Sequence, residues 1–157
     1  MKFNPIALVT NIAIPLAIGA AGAFFTASSV KTWYVTLAKP SFNPPDTIFA
    51  PVWTTLYIII GIAAYLIWQK RHTIKHFPRT ISIYLIQLIL NLMWSFIFFY
   101  TRQIGVALME IIFLLLAVIV NAIVFYKIDK TAGLLFIPCI LWVGFATVLT
   151  YNIFILN

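Results

Sequence analysis

Apolar residues fill nearly every position of five long stretches of this chain, which are separated by charges, proline clusters and asparagines. The stretches cover residues 6–26, 47–69, 81–100, 104–126 and 132–156. Each meets the ~20 residues that a helix needs to cross a hydrocarbon core ~30 Å thick. The two-residue alternation of a lipid-facing barrel strand is absent. The pattern therefore predicts an all-α integral membrane protein, a bundle of five transmembrane helices forming a single domain over residues 1–157. Asp46 is placed to cap the second helix, with Pro51 tolerated near its start. Pro15 and Pro138, inside the first and fifth stretches, are expected to kink their helices or free a carbonyl. The first stretch follows Met1 and Lys2 and exceeds the h-region of a cleaved signal peptide, so it is read as a retained helix.

Composition narrows the class further. Only 8% of the 157 residues are charged and 64% are apolar, against roughly 25% charged in soluble domains, so water does not solvate such a fold. Disorder is excluded by the same imbalance, and a disulfide framework by the single cysteine, Cys139. The net charge of +7 reads mainly as topology. Lys2, Lys70, Arg71, Lys75, Arg79, Lys127 and Lys130 lie on one side of the five spans, and only Lys31, Lys39 and Arg102 on the other. The positive-inside rule then puts the N-terminus in the cytoplasm and the C-terminus outside. No basic face with aromatic readers is present for nucleic acid. The 70–79 cluster, with His72 and His76, suits contact with anionic lipid.

Conventional catalytic chemistry is missing. Asp46, Glu110 and Asp129 are the three acids, too few and too scattered for paired acid/base work. His72 and His76 have i, i+4 spacing but no third ligand, so no metal site is expected. Glu110 is the one carboxylate expected within a span. It is either a functional intramembrane group or a partly wet partner of Arg102.

Two features remain. The segment 27–46 (ASSVKTWYVTLAKPSFNPPD) is long, aromatic and stiffened by Pro40, Pro44 and Pro45. Its length suits a lid, while Trp33 and Tyr34 also suit a plain aqueous interface. In the third stretch Tyr84, Gln87, Asn91, Trp94, Ser95 and Phe98 recur at helical spacing on one face. Gln87 and Asn91 need partners in hydrocarbon. Trp53, Tyr57 and Ala64 share a side of the second helix, and Trp142, Ala146 and Leu149 a side of the fifth. Gly19, Gly22 and Ala23 allow close backbone approach in the first. Polar glue explains each residue singly. Together the three faces and the loop predict an apolar cavity with a few polar anchors, suited to a large flat hydrophobic ligand.

These motifs resemble the translocator protein family, also called the TspO/MBR, tryptophan-rich sensory protein or peripheral benzodiazepine receptor family. The resemblance rests on Trp33-Tyr34-x-x-Leu37-x-Lys39-Pro40-Ser41-Phe42-x-Pro44-Pro45 and on Pro51-Val52-Trp53-Thr54-Thr55-Leu56-Tyr57. Gln87-x-x-x-Asn91-x-x-Trp94, Arg102-Gln103-x-Gly105 and the run from Leu134 through Pro138 and Trp142 to Thr147 continue it along nearly the whole chain. It implies a homodimeric five-helix receptor that binds porphyrins such as protoporphyrin IX or haem-type tetrapyrroles, and isoquinoline-carboxamide drugs, beneath the first loop. The ligand-binding residues it implies are Trp33, Tyr34 and Pro44 from the lid, with Trp53, Asn91, Trp94, Trp142 and Ala146 from the walls. Some bacterial members degrade porphyrin in light; the matching catalytic positions are Trp53 and Trp142. No intrinsic cofactor and no metal are implied, the porphyrin being ligand or substrate.

The alternatives are a transporter of tetrapyrroles or sterols and a stress-regulatory interaction protein. Phe42, Ser95, Cys139 and Thr150 depart from the residues the family most often carries. No Lys or Arg follows Tyr151 to complete a cholesterol motif. The Ile- and Phe-rich spans, the short tail and the lack of a targeting segment point to a bacterial plasma membrane.

Overall fold

A computed structural model describes residues 3–157. Met1 and Lys2, the latter part of the charge count above, lie outside the described residues. Among the described residues every regular element is helical, and five rods are long and apolar enough to cross a membrane. Helix α1 spans Pro5–Val30, α2 Asp46–Gln69, α3 Phe77–Ser95 and α4 Ile104–Ile128. The fifth rod is two pieces, the short α5 (Lys130–Leu134) and α6 (Ile137–Leu156). Residues 31–45 cover one end of the bundle and contain a 3-10 turn at Tyr34–Thr36. At the same lid end α3 finishes in a π-helical turn, Phe96–Tyr100.

Several boundaries differ from those predicted. Helix α1 runs four residues past Thr26, because nothing in Ala27-Ser28-Ser29-Val30 breaks a helix and Ser29 is anchored. Its hydroxyl donates 2.6 Å to the Phe99 carbonyl of the π turn. Asp46 lies inside the first turn of α2, and Pro45 holds the cap position, so the acid meets the positive end of the helix dipole instead of capping it. Pro138 does not kink a continuous fifth span. The chain breaks at Leu135–Phe136, and Pro138 falls in the first turn of α6, where its missing N–H costs no intrahelical bond.

Close packing explains the small residues. Pro15 cannot donate to the Asn11 carbonyl, and α1 carries that carbonyl against α2 at Gly61. A Cβ there would sit 2.5 Å from Ile12 Cα and 2.8 Å from the Asn11 oxygen. Gly19 lies against the Tyr57 ring, and a Cβ at Gly22 would sit 3.2 Å from Ser95 Oγ. The core is continuous from Leu56, Ile60 and Ile67 of α2 through Leu88, Leu114, Val118 and Phe125 to Phe136, Cys139 and Val143. A second cluster beneath the lid joins Tyr34, Phe98, Phe99, Leu149 and Ile153.

At the opposite end, Lys70 and Asp129 form the one ion pair among the described residues, 2.7 Å apart. The Asp129 carboxylate also accepts from Ala132 N at 2.9 Å, capping α5. Burial pulls this carboxyl up, but the Lys70 hydrogen bond, the backbone donors and the Lys70 charge outweigh it and hold it below the ordinary value of 3.8.

Candidate functional site

The face foreseen on α3 forms and points inward: Tyr84, Gln87, Asn91 and Phe98 are all buried. Its middle is tied to α2 by the Tyr57 hydroxyl, which donates to Asn91 Oδ1. Trp53 stacks on Tyr57 at 5.7 Å, so one indole, one phenol and one amide form a continuous strip across two helices. Nearer the lid, Trp94 stacks on Phe98 at 5.2 Å. From α6, Trp142 packs against Phe49 at 5.8 Å and Phe145 at 5.5 Å. Trp53, Trp94, Trp142 and Ala146 thus meet around one core.

The loop is an ordered cover. Trp33 and Tyr34 both press on Phe98, at 5.6 and 6.1 Å. The Tyr34 hydroxyl donates to Asn43 Oδ1 at 3.1 Å, and the Lys39 ammonium lies 4.1 Å above its ring. Burial, together with the nearby Asp46 charge, pushes the Tyr34 phenol up to about 12, and the polar contact with Asn43 offsets this only in part. Pro44 is half-buried and enters through its carbonyl, which accepts from Asn43 Nδ2 at 3.0 Å. Phe42 reaches Phe145 at 6.4 Å. The cover is also clasped to α6 by a reciprocal pair: Ala38 N donates to Asn157 Oδ1, and Asn157 Nδ2 donates to the Ala38 carbonyl, each at 2.9 Å.

Beneath the cover the rings of Trp33, Tyr34, Trp94 and Phe98 touch through Phe98, so side chains fill the space between the walls. Three N–H groups stay without a protein partner inside this aromatic region: Trp94 Nε1, Trp142 Nε1 and Asn91 Nδ2. Unpaired donors in a dry interior are costly, which sets these three apart from the satisfied polar groups around them.

Some expectations changed. Glu110 does not pair with Arg102. It is buried at 7% exposure with neither oxygen hydrogen-bonded, while the Arg102 guanidinium sits 5.9 Å over the Trp33 ring. Arg102 also adopts φ 58 in the α3–α4 turn, which aims it across the lid and away from the core. His72 and His76 lie, as the sequence suggests, in the turn between α2 and α3. Sequence reasoning missed Phe49, Asn157 and Asn121. Asn121 is fully buried with both amide atoms unpaired, and the polar-in-hydrocarbon argument used for Gln87 would have found it.

Fold and site together define a polytopic α-helical membrane protein with a covered, tryptophan-lined interior. Comparison with known proteins fixes the class more closely. A model of the TspO/MBR family matches residues 11–156. A tryptophan-rich protein TspO of Archaeoglobus fulgidus is 42% identical over 98% of this chain and 99% of its own. One from Chlorobaculum tepidum is 36% identical over 100% of this chain and 99% of its own. The translocator protein of Homo sapiens is 34% identical over 83% of this chain and 78% of its own. The chain belongs to the TspO/MBR family.

Proposed function

We propose that this protein is a membrane receptor for porphyrins, protoporphyrin IX and haem-type tetrapyrroles, and that isoquinoline-carboxamide drugs share the site. The observation that carries the reading is the convergence of Trp53, Trp94 and Trp142 beneath the cover with three unpaired N–H donors. A flat aromatic guest offers ring faces to the indoles and acceptors to those donors. Trp33, Tyr34 and Pro44 close over it, and the small Ala146 leaves room at the α6 wall. Room for the guest is made by parting the rings that meet on Phe98.

In light the same site promotes porphyrin breakdown. A nearby indole, Trp53 or Trp142, gives one electron to the excited macrocycle, which passes it to dioxygen. The indole radical cation takes an electron back from the porphyrin, and the porphyrin radical cation combines with superoxide, so that both oxygens add across a C=C bond of the macrocycle, which then breaks while the tryptophan is restored. The protein supplies orientation and electron-rich rings, with no acid/base group and no resident cofactor. It works as a homodimer in a bacterial plasma membrane, with its N-terminus in the cytoplasm and its C-terminus outside.

The test is a titration of detergent-solubilised protein with protoporphyrin IX, read by tryptophan fluorescence. Saturable quenching is expected, and Asn91→Ala should weaken it about 10-fold, the value of one hydrogen bond of ~1–1.5 kcal/mol. Trp53→Phe and Trp142→Phe should each slow photobleaching of bound porphyrin several-fold. Quenching that never saturates would sink the receptor reading, and wild-type bleaching in both tryptophan variants would sink the photochemistry.

A further inference from the structure

The bundle has an open seam. Helix α2 packs closely on α1 and α5 but barely approaches α6, and between α2 and α6 lies a cleft of about 480 Å³. Pro51, Val52, Thr55 and Ile59 form one bank, and Pro138, Leu141 and Trp142 the other. That volume is in the range of pockets for drug-sized ligands. Leu141 is 68% exposed, so the cleft opens on the flank that the bilayer covers, not on either end of the bundle. Apart from the Trp142 indole N–H, which is buried away from the surface, its banks are apolar and would not repel an oily guest. The Thr55 hydroxyl is already spent on the Pro51 carbonyl at 2.9 Å. The break before α6, marked by Pro138, and the ring of Pro51 within the unbroken α2 lie on the two facing banks.

Trp142 belongs to both places. It lines the cleft and its ring also packs on Phe49 and Phe145 inside the aromatic site. The aqueous route is fastened by the Ala38–Asn157 clasp, by Tyr34 on Asn43 and by Phe42 on Phe145. We propose that the α2–α6 cleft is a lateral portal through which a flat apolar guest dissolved in the bilayer reaches the aromatic site past Trp142. This rests on the porphyrin reading for the identity of the guest. A porphyrin partitions into lipid, so its local concentration is highest where the cleft opens. Trp142 is therefore a gate as well as a wall.

Two arms test the portal in liposomes. In the first, protoporphyrin IX is delivered from donor vesicles and its own fluorescence followed in stopped flow. Thr55→Trp or, separately, Leu141→Phe fills the cleft from a lipid-facing position. Each should slow association and dissociation about 10-fold and leave Kd unchanged, whereas Asn157→Ala, which unfastens the cover, should leave both rates as they were. Faster exchange in Asn157→Ala with wild-type rates in both cleft variants would overturn the portal. In the second arm, a variant retaining only Trp142 is placed in bilayers of brominated phosphatidylcholine. Bromines should quench Trp142 strongly, and Thr55→Trp is replaced here by Thr55→Phe, which should remove the quenching. An unquenched Trp142 would overturn the portal even if porphyrin binds. Wild-type protein that binds no porphyrin would overturn the receptor reading, and the bromine result would then decide the cleft alone.

Discussion

Asp129 uses one carboxylate for two tasks, capping α5 through Ala132 and pairing with Lys70 of the α2 end. Because its folded value lies below 3.8, the stabilisation is complete above that pH and is lost as pH falls through the lower folded value. Asp129→Ala should cost about 1 kcal/mol at neutral pH, mostly from the cap, since partly exposed ion pairs add little. Thermal unfolding in detergent at pH 7 and pH 3 measures both parts, and the gap between wild type and variant should shrink at the lower pH. At this scale the sequence was informative wherever a polar side chain stood in hydrocarbon. Gln87 and Asn91 both face inward, as polar groups in hydrocarbon should, but only Asn91 finds a protein partner, through Tyr57, and both amide atoms of Gln87 stay unpaired. Glu110 was read ambiguously because its neighbour Arg102 is close in sequence, while a positive φ turns that residue towards Trp33.

Contacts between helices turn on where a backbone can come close. At Gly61 a methyl would meet main-chain atoms of α1, which do not rotate away, so Gly61→Ala should cost about 1–3 kcal/mol of overpacking. Gly144 of α6 has nothing within 4 Å of the same construction. Gly144→Ala should therefore be neutral or raise stability by up to ~1 kcal/mol, through helix propensity alone. Differential melting of the two variants checks the pair. Five spans were legible because a hydrocarbon slab sets both the length and the apolarity of a crossing helix. Their ends were less so. Ala27 to Val30 carries no stop signal, and its helical state is decided by the Ser29–Phe99 bond across 70 residues. Pro138 reads in the sequence as a kink or a freed carbonyl within one span, whereas the chain breaks before it at Leu135–Phe136 and a proline in a first turn marks a start.

At the level of the whole molecule, the cover, the walls and the cleft are joined by α6. The tryptophan walls were legible from spacing, since residues three and four apart share a face. The clasp that shuts the cover was not, because Ala38 and Asn157 are 119 positions apart and neither carries a local pattern. Asn157→Ala removes both of its bonds to Ala38. Amide exchange at Ala38 should then accelerate at least about 10-fold, given ~1 kcal/mol per bond, with exchange in the α2 core unchanged. Hydrogen–deuterium exchange with mass spectrometry reads that difference directly. Helix α6 is a stiff rod of 20 residues, about 30 Å long, jointed to α5 at Leu135–Phe136. Swung about that joint by about 5°, its far tip travels ~2.5 Å, close to the span of a hydrogen bond. A tilt imposed at that joint, where buried Phe136 packs on Phe125, is thus multiplied along the rod and is greatest at Asn157 on the opposite membrane face.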